Sequence, residues 1–274
     1  MFAKKRNAFS TVELLIVISL IALLMAILLP GLSAARLQAR RVVCKSNLRQ
    51  LYLANAGYAM ENDSYYVPAA PDIIAEKGGK IRWHGQRGST DELFDAAKGP
   101  LAAYLAGGKV KQCPQKIKFV QDQDWNTNFE QGCGGYGYNY TYIGSRNWQQ
   151  RRFATLEQLE FAGWQTTKAN EIGRPTDTLM FADTAMSNLK NRLIEYSFAE
   201  PPFVVCNGLL LTGLYMSPSI HFRHGDQANV NWADGHIDSR QMTEFDGNNV
   251  YGVNSAQMKL GWFDPVDNTP FDLE

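Results

Sequence analysis

One apolar segment near the N-terminus constrains the fold of this chain more than any other feature. Residues 14–29 contain one hydroxyl group and no charge. As an α-helix this segment is roughly 24 Å long, and extending it back to Phe9 brings it close to the roughly 30 Å of a hydrocarbon core. The extension places Glu13 in lipid, where an unpaired carboxylate is costly and usually has a partner. The sequence therefore predicts a membrane helix with one acidic residue that needs explaining.

Composition and motifs exclude several functions for the rest of the chain. The 274 residues leave room for one soluble domain beyond the apolar segment. The 27 basic and 27 acidic residues cancel, whereas a general nucleic-acid binder carries a basic excess. The sequence has no phosphate-binding loop, nucleophile elbow or zinc-hydrolase motif. We therefore expect no nucleic-acid partner, and we expect that the protein is not an enzyme.

Three interpretations of the N-terminal segment remain open, two from the residues themselves and one from a resemblance. The first is a secretory signal peptide, with residues 33–35 (Ser-Ala-Ala) as its cleavage site. The second is an ordinary single-pass anchor, although basic residues flank both ends of the segment and leave its orientation undecided. The third comes from a resemblance of residues 8–18 to a known class of processed signals.

The third interpretation depends on residues 8–18, Ala-Phe-Ser-Thr-Val-Glu-Leu-Leu-Ile-Val-Ile, behind a short basic leader. This pattern resembles the class III signal of type IV pilins and type II secretion pseudopilins. The resemblance implies cleavage by a prepilin peptidase between Ala8 and Phe9, and N-methylation of Phe9. Glu13 occupies the family's acidic fifth mature position, and Pro30 the position of its helix-kinking proline. The family usually has glycine where this chain has Ala8, so slower processing is expected.

The resemblance also implies an architecture and a location. We expect a leader over residues 1–8, a membrane and assembly half of the helix over 9–30, and an amphipathic half over 31–63. Residues 64–274 would form a periplasmic, β-rich globular domain. The fold class is then α+β, in which a long hydrophobic helix packs on a C-terminal antiparallel sheet. The implied partners are the inner membrane and other pilin-like subunits, because the Phe9 amine of one subunit can neutralise the Glu13 of the next.

Helical periodicity continues beyond the membrane segment. A stripe at spacings of four, three, four and three predicts that the helix runs from about residue 9 to residue 60, with its stop at residues 61–64. The basic residues Arg40, Arg41, Lys45 and Arg49 lie largely off this stripe. They are either a solvated helix face or a contact for phospholipid headgroups or an acidic neighbour. The stripe consists of Cys44, Leu48, Leu51, Asn55 and Tyr58.

A hairpin is the clearest feature of the C-terminal region. Residues 228–232 alternate apolar or small side chains with polar ones, which predicts a strand. Asp234-Gly235 predicts a two-residue turn, because glycine tolerates the positive φ that such a turn needs. Ile237 on the return strand would then face the core. An apolar strand is also predicted over residues 178–182, ended by Asp183.

The same hairpin carries a second resemblance. His224 followed by nine residues and Asp234-Gly235 looks like the C-terminal H-X9-DG signature of a large bacterial group of pseudopilin-like proteins. That group implies an architecture rather than an activity. Other segments that fit its layout are residues 44–50, 111–114, 136–139, 174–175 and 179–183.

Histidines and carboxylates near the signature offer a candidate metal site. His221, His224 and Asp234 are the candidate ligands, since imidazole and carboxylate groups bind metals. Calcium is the metal suggested by analogy with the major pseudopilins of type II secretion. The structural alternative is that Asp234 serves the turn and that His224 hydrogen-bonds a backbone carbonyl or Asp234.

Four cysteines allow three complete pairings, which the sequence alone does not distinguish. Cys113 with Cys133 is the preferred disulfide, because both lie in loop-like surroundings and an oxidising periplasm permits it. Cys44 is expected to be a packed thiol or to pair with Cys206.

A second function competes with the assembly subunit. The chain would then be a stand-alone, membrane-anchored envelope protein whose domain binds a ligand such as a polysaccharide. Exposed tryptophans stack on sugar rings, and the candidates are Trp83, Trp125, Trp148 and Trp164.

Overall fold

The structure is a computed structural model, and it describes residues 10–74, 78–115, 117–120, 130–147, 155–244, 249 and 252–274. Its class is α+β, with one long apolar N-terminal helix and several small antiparallel sheets. The chain divides into two compact units, residues 1–40 and 41–274. The predicted leader, with its cleavage pair Ala8 and Phe9, lies outside the described residues.

Helix α1 extends over Thr11–Glu61, close to the bounds that periodicity predicts. The predicted stripe is its buried face: four members are buried and the fifth is half-buried. Since these side chains recur every three or four positions, they share one side of the helix and enter the core together. The members are Cys44, Leu48, Leu51, Asn55 and Tyr58.

The C-terminus of α1 has a local cause. The Asn62 side chain donates a hydrogen bond to the carbonyl of Tyr58 at 2.8 Å. Asp63 and Ser64 then adopt positive φ values of 50° and 69°, a left-handed conformation that ends a helix. The predicted stop at residues 61–64 is therefore confirmed.

A second helix and short strands build the remainder of the described domain. Helix α2, Leu156–Trp164, begins with a capping box between Thr155 and Gln158. Short 3₁₀ turns lie at Ala96–Lys98, Ala102–Tyr104, Ala169–Glu171 and Ala256–Met258. The strands are β1 Ile81–Arg82, β2 Gly85–Gln86, β3 Tyr136–Tyr138, β4 Leu179–Asp183, β5 Met186–Ser187, β6 Leu193–Ile194, β7 Phe203–Cys206, β8 Leu209–Tyr215, β9 Ile220–His221, β10 Gln227–Trp232, β11 Ile237–Gln241 and β12 Leu260–Gly261.

The largest described sheet has the order β11-β10-β4-β3, and all of its pairs are antiparallel. The other described strands form two-stranded pairs: β1 with β2, β5 with β6, β7 with β8, and β9 with β12. Every residue of β4 is buried. Met180 and Phe181 join the core cluster that contains the α1 stripe, whereas Leu179 and Ala182 join a second cluster. Strand β4 is therefore packed on both faces, and it ends in the interior at Asp183.

Candidate functional site

The first part of α1 is an exposed apolar surface. Residues 10–39 are all exposed, and the most apolar 18-residue window of the helix has no buried residue. By length and composition this helix can cross a membrane. Glu13 is the one charged residue between positions 11 and 35. An apolar surface of this size needs a covering of lipid or protein.

Glu13, the predicted assembly residue, caps the helix. Its Oε2 accepts a hydrogen bond from the main-chain N–H of Ser10 at 2.9 Å. The Ser10 hydroxyl in turn accepts the N–H of Val12 at 3.1 Å. This reciprocal arrangement is similar to a capping box, except that Ser10 accepts the N–H of Val12 rather than that of Glu13. Its Ser-x-x-Glu signature is readable in the sequence, and our sequence analysis missed it.

Pro30, the predicted kink position, lies inside α1. Proline lacks the N–H that a helix interior uses, yet the helical assignment continues on both sides. The hydroxyl of Ser33 donates to the carbonyl of Pro30 at 2.8 Å.

Residues 233–236 join β10 to β11, and a hydrogen bond between Trp232 and His236 closes a loop of three residues, 233–235. The N–H of Trp232 donates to the carbonyl of His236 at 3.0 Å, and the N–H of Gly235 donates to the carbonyl of Trp232 at 2.8 Å. Gly235 has a φ of +88°. A three-residue loop with a left-handed glycine is the common alternative to the predicted two-residue loop. Asp234 Oδ1 accepts the N–H of His236 at 2.9 Å, so Asp234 serves the turn.

The hairpin also contacts α1. Arg49 donates to the carbonyl of Gly235. A Cβ added at Gly235 would meet Arg49 and the Tyr52 ring at 2.5 Å. Arg41 donates to Gln227 and to Ser239, one on each strand of the hairpin. Two members of the predicted basic face therefore bind the protein's own sheet.

His224, the first residue of the signature, lies in a buried cluster with Cys44, Cys113 and Asp183. The ligand atoms of all four side chains lie within 4.8 Å of one another. His224 Nε2 is 3.3 Å from Asp183 Oδ2 and 3.6 Å from Cys113 Sγ. Cys44 Sγ donates to Asp183 Oδ1 at 3.1 Å. Helix α1, the end of β4, and the segments before β3 and β10 thus meet at one point.

Further groups hold the cluster in place. The N–H of Asn229 donates to Asp183 Oδ2 at 2.8 Å, and the Tyr136 hydroxyl donates to Cys44 Sγ at 3.4 Å. Arg223 Nε lies 3.8 Å from Asp183 Oδ1. The Arg223 guanidinium also donates to the carbonyls of Gly135 and Thr184, at 2.7 Å each. These contacts hold the side chains of the cluster in fixed positions.

The pKa shifts of the four side chains differ, so that some groups of the cluster favour the charged form and others the neutral form. The hydrogen bond with Cys44 lowers the pKa of Cys113 to about 5, against the effect of burial. Burial raises the pKa of Cys44 well above its ordinary value. Burial alone would lower the pKa of His224, but Asp183 and Cys113 outweigh it and raise that pKa to about 9. Burial likewise opposes ionisation of Asp183, yet Arg223 and His224 lower its pKa overall.

The predicted metal ligands do not form one group. Among the described residues, the potential metal site combines His224 with Cys44, Cys113 and Asp183, and it includes neither His221 nor Asp234. Asp234 is exposed at its turn. His221 is buried, and burial lowers its pKa well below the ordinary value. Of the three predicted ligands, the cluster therefore retains His224.

The predicted Cys113–Cys133 disulfide is not present, since all four cysteines are free thiols. Cys113 contacts the His224 cluster instead, and Cys133 is buried near the backbone of Gly135 and Tyr136. Cys206 is half-buried at the end of β7. The expectation that Cys44 is a packed thiol agrees with its buried position.

The tryptophans proposed for sugar binding have different positions. Trp83 is buried, and its indole N–H donates to the carbonyl of Ser197 at 2.8 Å. Trp164 is 55% exposed. It lines a groove of about 640 Å³ together with Tyr65 and Arg146. Trp125 and Trp148 lie outside the described residues.

Sequence reasoning missed the residues that complete the buried cluster. The sequence predicts Asp183 as the end of a strand and indicates no role for Arg223. One signal was available: a carboxylate that directly follows a wholly apolar strand enters the interior with it, so it needs a partner there. The identity of that partner was not readable, because Cys44 and Asp183 are 139 residues apart.

Comparison with known proteins gives no further guidance. No family model, no curated protein and no solved structure matches the chain.

Proposed function

We propose that this chain is a pilin-like structural subunit, a pseudopilin, of a type II secretion-like or type IV pilus-like envelope assembly. A prepilin peptidase removes residues 1–8, and Phe9 becomes the N-methylated first residue. The helix holds the chain in the inner membrane and packs against the helices of other pilin-like subunits. The domain that follows lies in the periplasm.

The observation that carries the proposal is that the first part of α1 is exposed and the later part is buried on one face. Residues 11–39 of α1 are exposed, and residues 14–32 among them are almost wholly apolar, whereas its later turns supply a buried stripe to the domain core. One helix therefore offers a surface for lipid or neighbouring helices and also the support of a folded domain. The H-X9-DG residues add to this, since the turn at Gly235 contacts α1 through Arg49.

Glu13 provides the assembly contact in this proposal. Its Oε2 accepts the Ser10 N–H, and a carboxylate has two oxygens with capacity for several hydrogen bonds. The amine of a neighbouring subunit's Phe9, exposed by cleavage, can therefore pair with Glu13. A buried charge that is costly alone favours association when it is paired.

Two variants of Glu13 separate its two roles. Glu13→Gln keeps a capping-box side chain but removes the charge, whereas Glu13→Leu removes both. If charge pairing drives assembly, both variants lose the crosslinked oligomers that the unmutated protein forms in native membranes. Normal oligomers for Glu13→Gln would show that Glu13 only caps the helix, and would contradict this part of the proposal.

Mass spectrometry of protein from native membranes tests the processing. We expect a chain that begins with N-methylated Phe9. A chain that begins at Arg36 would indicate a secreted protein, and a retained leader would indicate a plain anchor. Either result would refute the subunit proposal.

A polysaccharide-binding envelope protein is the second candidate, favoured by the groove that exposed Trp164 and Tyr65 line. In that case Trp164→Ala abolishes sugar binding, and Glu13→Leu leaves the anchored protein functional. The burial of Trp83 removes one of the four tryptophans on which this candidate was based.

A further inference from the structure

We propose that Cys44, Cys113, Asp183 and His224 form a tetrahedral site for a zinc-type divalent metal ion, which fastens α1 to the domain. The four side chains are buried, and in the part of the chain that the structure describes they are the one group of three or more potential ligands that converges. The inference is independent of filament assembly, since it concerns the domain interior.

Two distances within the cluster match those between the ligands of a tetrahedral zinc ion. The third, 3.1 Å between Cys44 Sγ and Asp183 Oδ1, is that of a hydrogen bond, which the metal would replace. Metal bonds of about 2.3 Å to sulfur and about 2.0–2.1 Å to nitrogen or oxygen separate sulfur from nitrogen by about 3.6 Å, and nitrogen from oxygen by about 3.3 Å. The observed separations are 3.6 Å between Cys113 Sγ and His224 Nε2, and 3.3 Å between His224 Nε2 and Asp183 Oδ2. The single Nε2 atom of His224 points at both partners, as a metal-binding imidazole nitrogen does.

The donor atoms select the class of metal. Two thiols, one imidazole and one carboxylate suit zinc and related borderline-soft ions, whereas calcium takes six to eight oxygen ligands. The calcium suggested by analogy therefore does not fit this cluster.

Charge balance supports an occupied site. Two thiolates and the Asp183 carboxylate carry three negative charges, a divalent ion supplies two positive charges, and Arg223 supplies the third. Arg223 is itself buried, 3.8 Å from Asp183 Oδ1. The bound cluster is then neutral overall, as an interior site requires.

Surrounding hydrogen bonds suit the metal-bound form. The Tyr136 hydroxyl donates to Cys44 Sγ, and the N–H of Asn229 donates to Asp183 Oδ2. Donors of this kind orient metal ligands and stabilise their anionic forms. Four buried protein ligands define a structural site rather than a catalytic one, since a catalytic zinc keeps an open position.

Metal analysis of the full-length protein in detergent tests the proposal. After incubation with zinc chloride and dialysis, we expect about one zinc per chain, as one structural site holds one ion. Cobalt(II) should give the visible spectrum of a tetrahedral thiolate complex. Cys113→Ser should lower the bound zinc by about tenfold or more. Cys206→Ser is the matched control and should retain the metal, because Cys206 lies outside the cluster.

Thiol titration distinguishes the outcomes that would overturn the proposal. Four titratable thiols without bound metal would leave a buried hydrogen-bond network and no metal site. A Cys44–Cys113 disulfide, identified by its linked peptides, would make the pair an oxidised clamp and would equally exclude the metal. The cobalt(II) spectrum is measured on the unmutated protein, so the test stands even if Cys113→Ser does not fold.

Discussion

Single residues show how differently buried carboxylates behave in this domain. Asp183 has the Arg223 guanidinium nearby, and its pKa is lowered in spite of burial. Glu200 is buried too, but its carboxylate accepts hydrogen bonds from the hydroxyls of Tyr196 and Thr141. Burial raises the pKa more than these two hydrogen bonds lower it, so the pKa of Glu200 is raised to about 7. A nearby cation decides which buried carboxyl group stays ionised.

The raised pKa of Glu200 predicts a pH dependence of stability. The ordinary carboxyl value is 4.5 and the folded value about 7, so the folded state binds more protons between these values. Stability from this group is present below pH 4.5 and is lost as the pH rises to about 7. The Glu200→Gln variant has no ionisable group at this position. Its loss of unfolding free energy between pH 4.5 and about 7 should therefore be smaller by about 3 kcal/mol.

Urea unfolding at several pH values between 4.5 and 8 measures this effect. Glu160→Gln is the matched control, because Glu160 is exposed on α2, and it should leave the pH profile unchanged. An identical profile for Glu200→Gln and the unmutated protein would show that Glu200 is ionised in the folded state at neutral pH.

At the scale of elements, the β10–β11 hairpin and α1 explain the H-X9-DG residues in structural terms. His224 enters the buried cluster just before β10, and Gly235 closes the turn after it with a φ of +88°. Arg49 and Tyr52 of α1 occupy the space beside Gly235. The nine residues between His224 and Asp234 therefore include one strand, β10, and the chain contacts α1 on either side of that strand.

Substitution of Gly235 should be more harmful than an ordinary loss of glycine. Gly235→Ala combines an unfavourable positive φ with a Cβ only 2.5 Å from Arg49 and Tyr52, and we expect a loss of about 3 kcal/mol or more in unfolding free energy. Gly208→Ala is the matched control. Gly208 has a φ of +71° and no atom within 4 Å of an added Cβ, so its loss should be about 1 kcal/mol. Equal losses in chemical denaturation would show that the turn does not pack on α1.

At the scale of the whole molecule, the chain separates into two units. One has an exposed apolar surface, and the other contains the buried core. Residues 41–274 contain every buried core residue described, beginning at Cys44. Residues 1–40 contain the apolar exposed part of α1. The described core of the domain therefore contains no side chain from the exposed apolar part of the helix.

A truncated chain tests this division. Residues 36–274 keep more than one helical turn ahead of Cys44, so we expect a soluble monomer with native-like circular dichroism and cooperative unfolding. The full-length chain without detergent should aggregate through its apolar helix. Aggregation of the truncated chain in size-exclusion chromatography would show that the first unit contributes to the domain fold.

The sequence by itself determined the features that depend on neighbouring residues. Hydropathy and periodicity predicted α1 and its buried stripe, and the composition of residues 61–64 predicted its end. Residues 228–235 predicted the hairpin, apart from one residue of loop length. These features follow from side-chain spacing and local φ preferences. The prepilin-type cleavage at Ala8 and Phe9 and the assembly role of Glu13 are sequence predictions that stay predictions.

Tertiary structure alone decided which distant side chains meet. It replaced the predicted Cys113–Cys133 pair and the His221–His224–Asp234 set with one cluster of Cys44, Cys113, Asp183 and His224. It also buried Trp83 and left Trp164 exposed. The physical reason is that burial and convergence depend on how elements more than a hundred residues apart pack together. No local propensity encodes that packing.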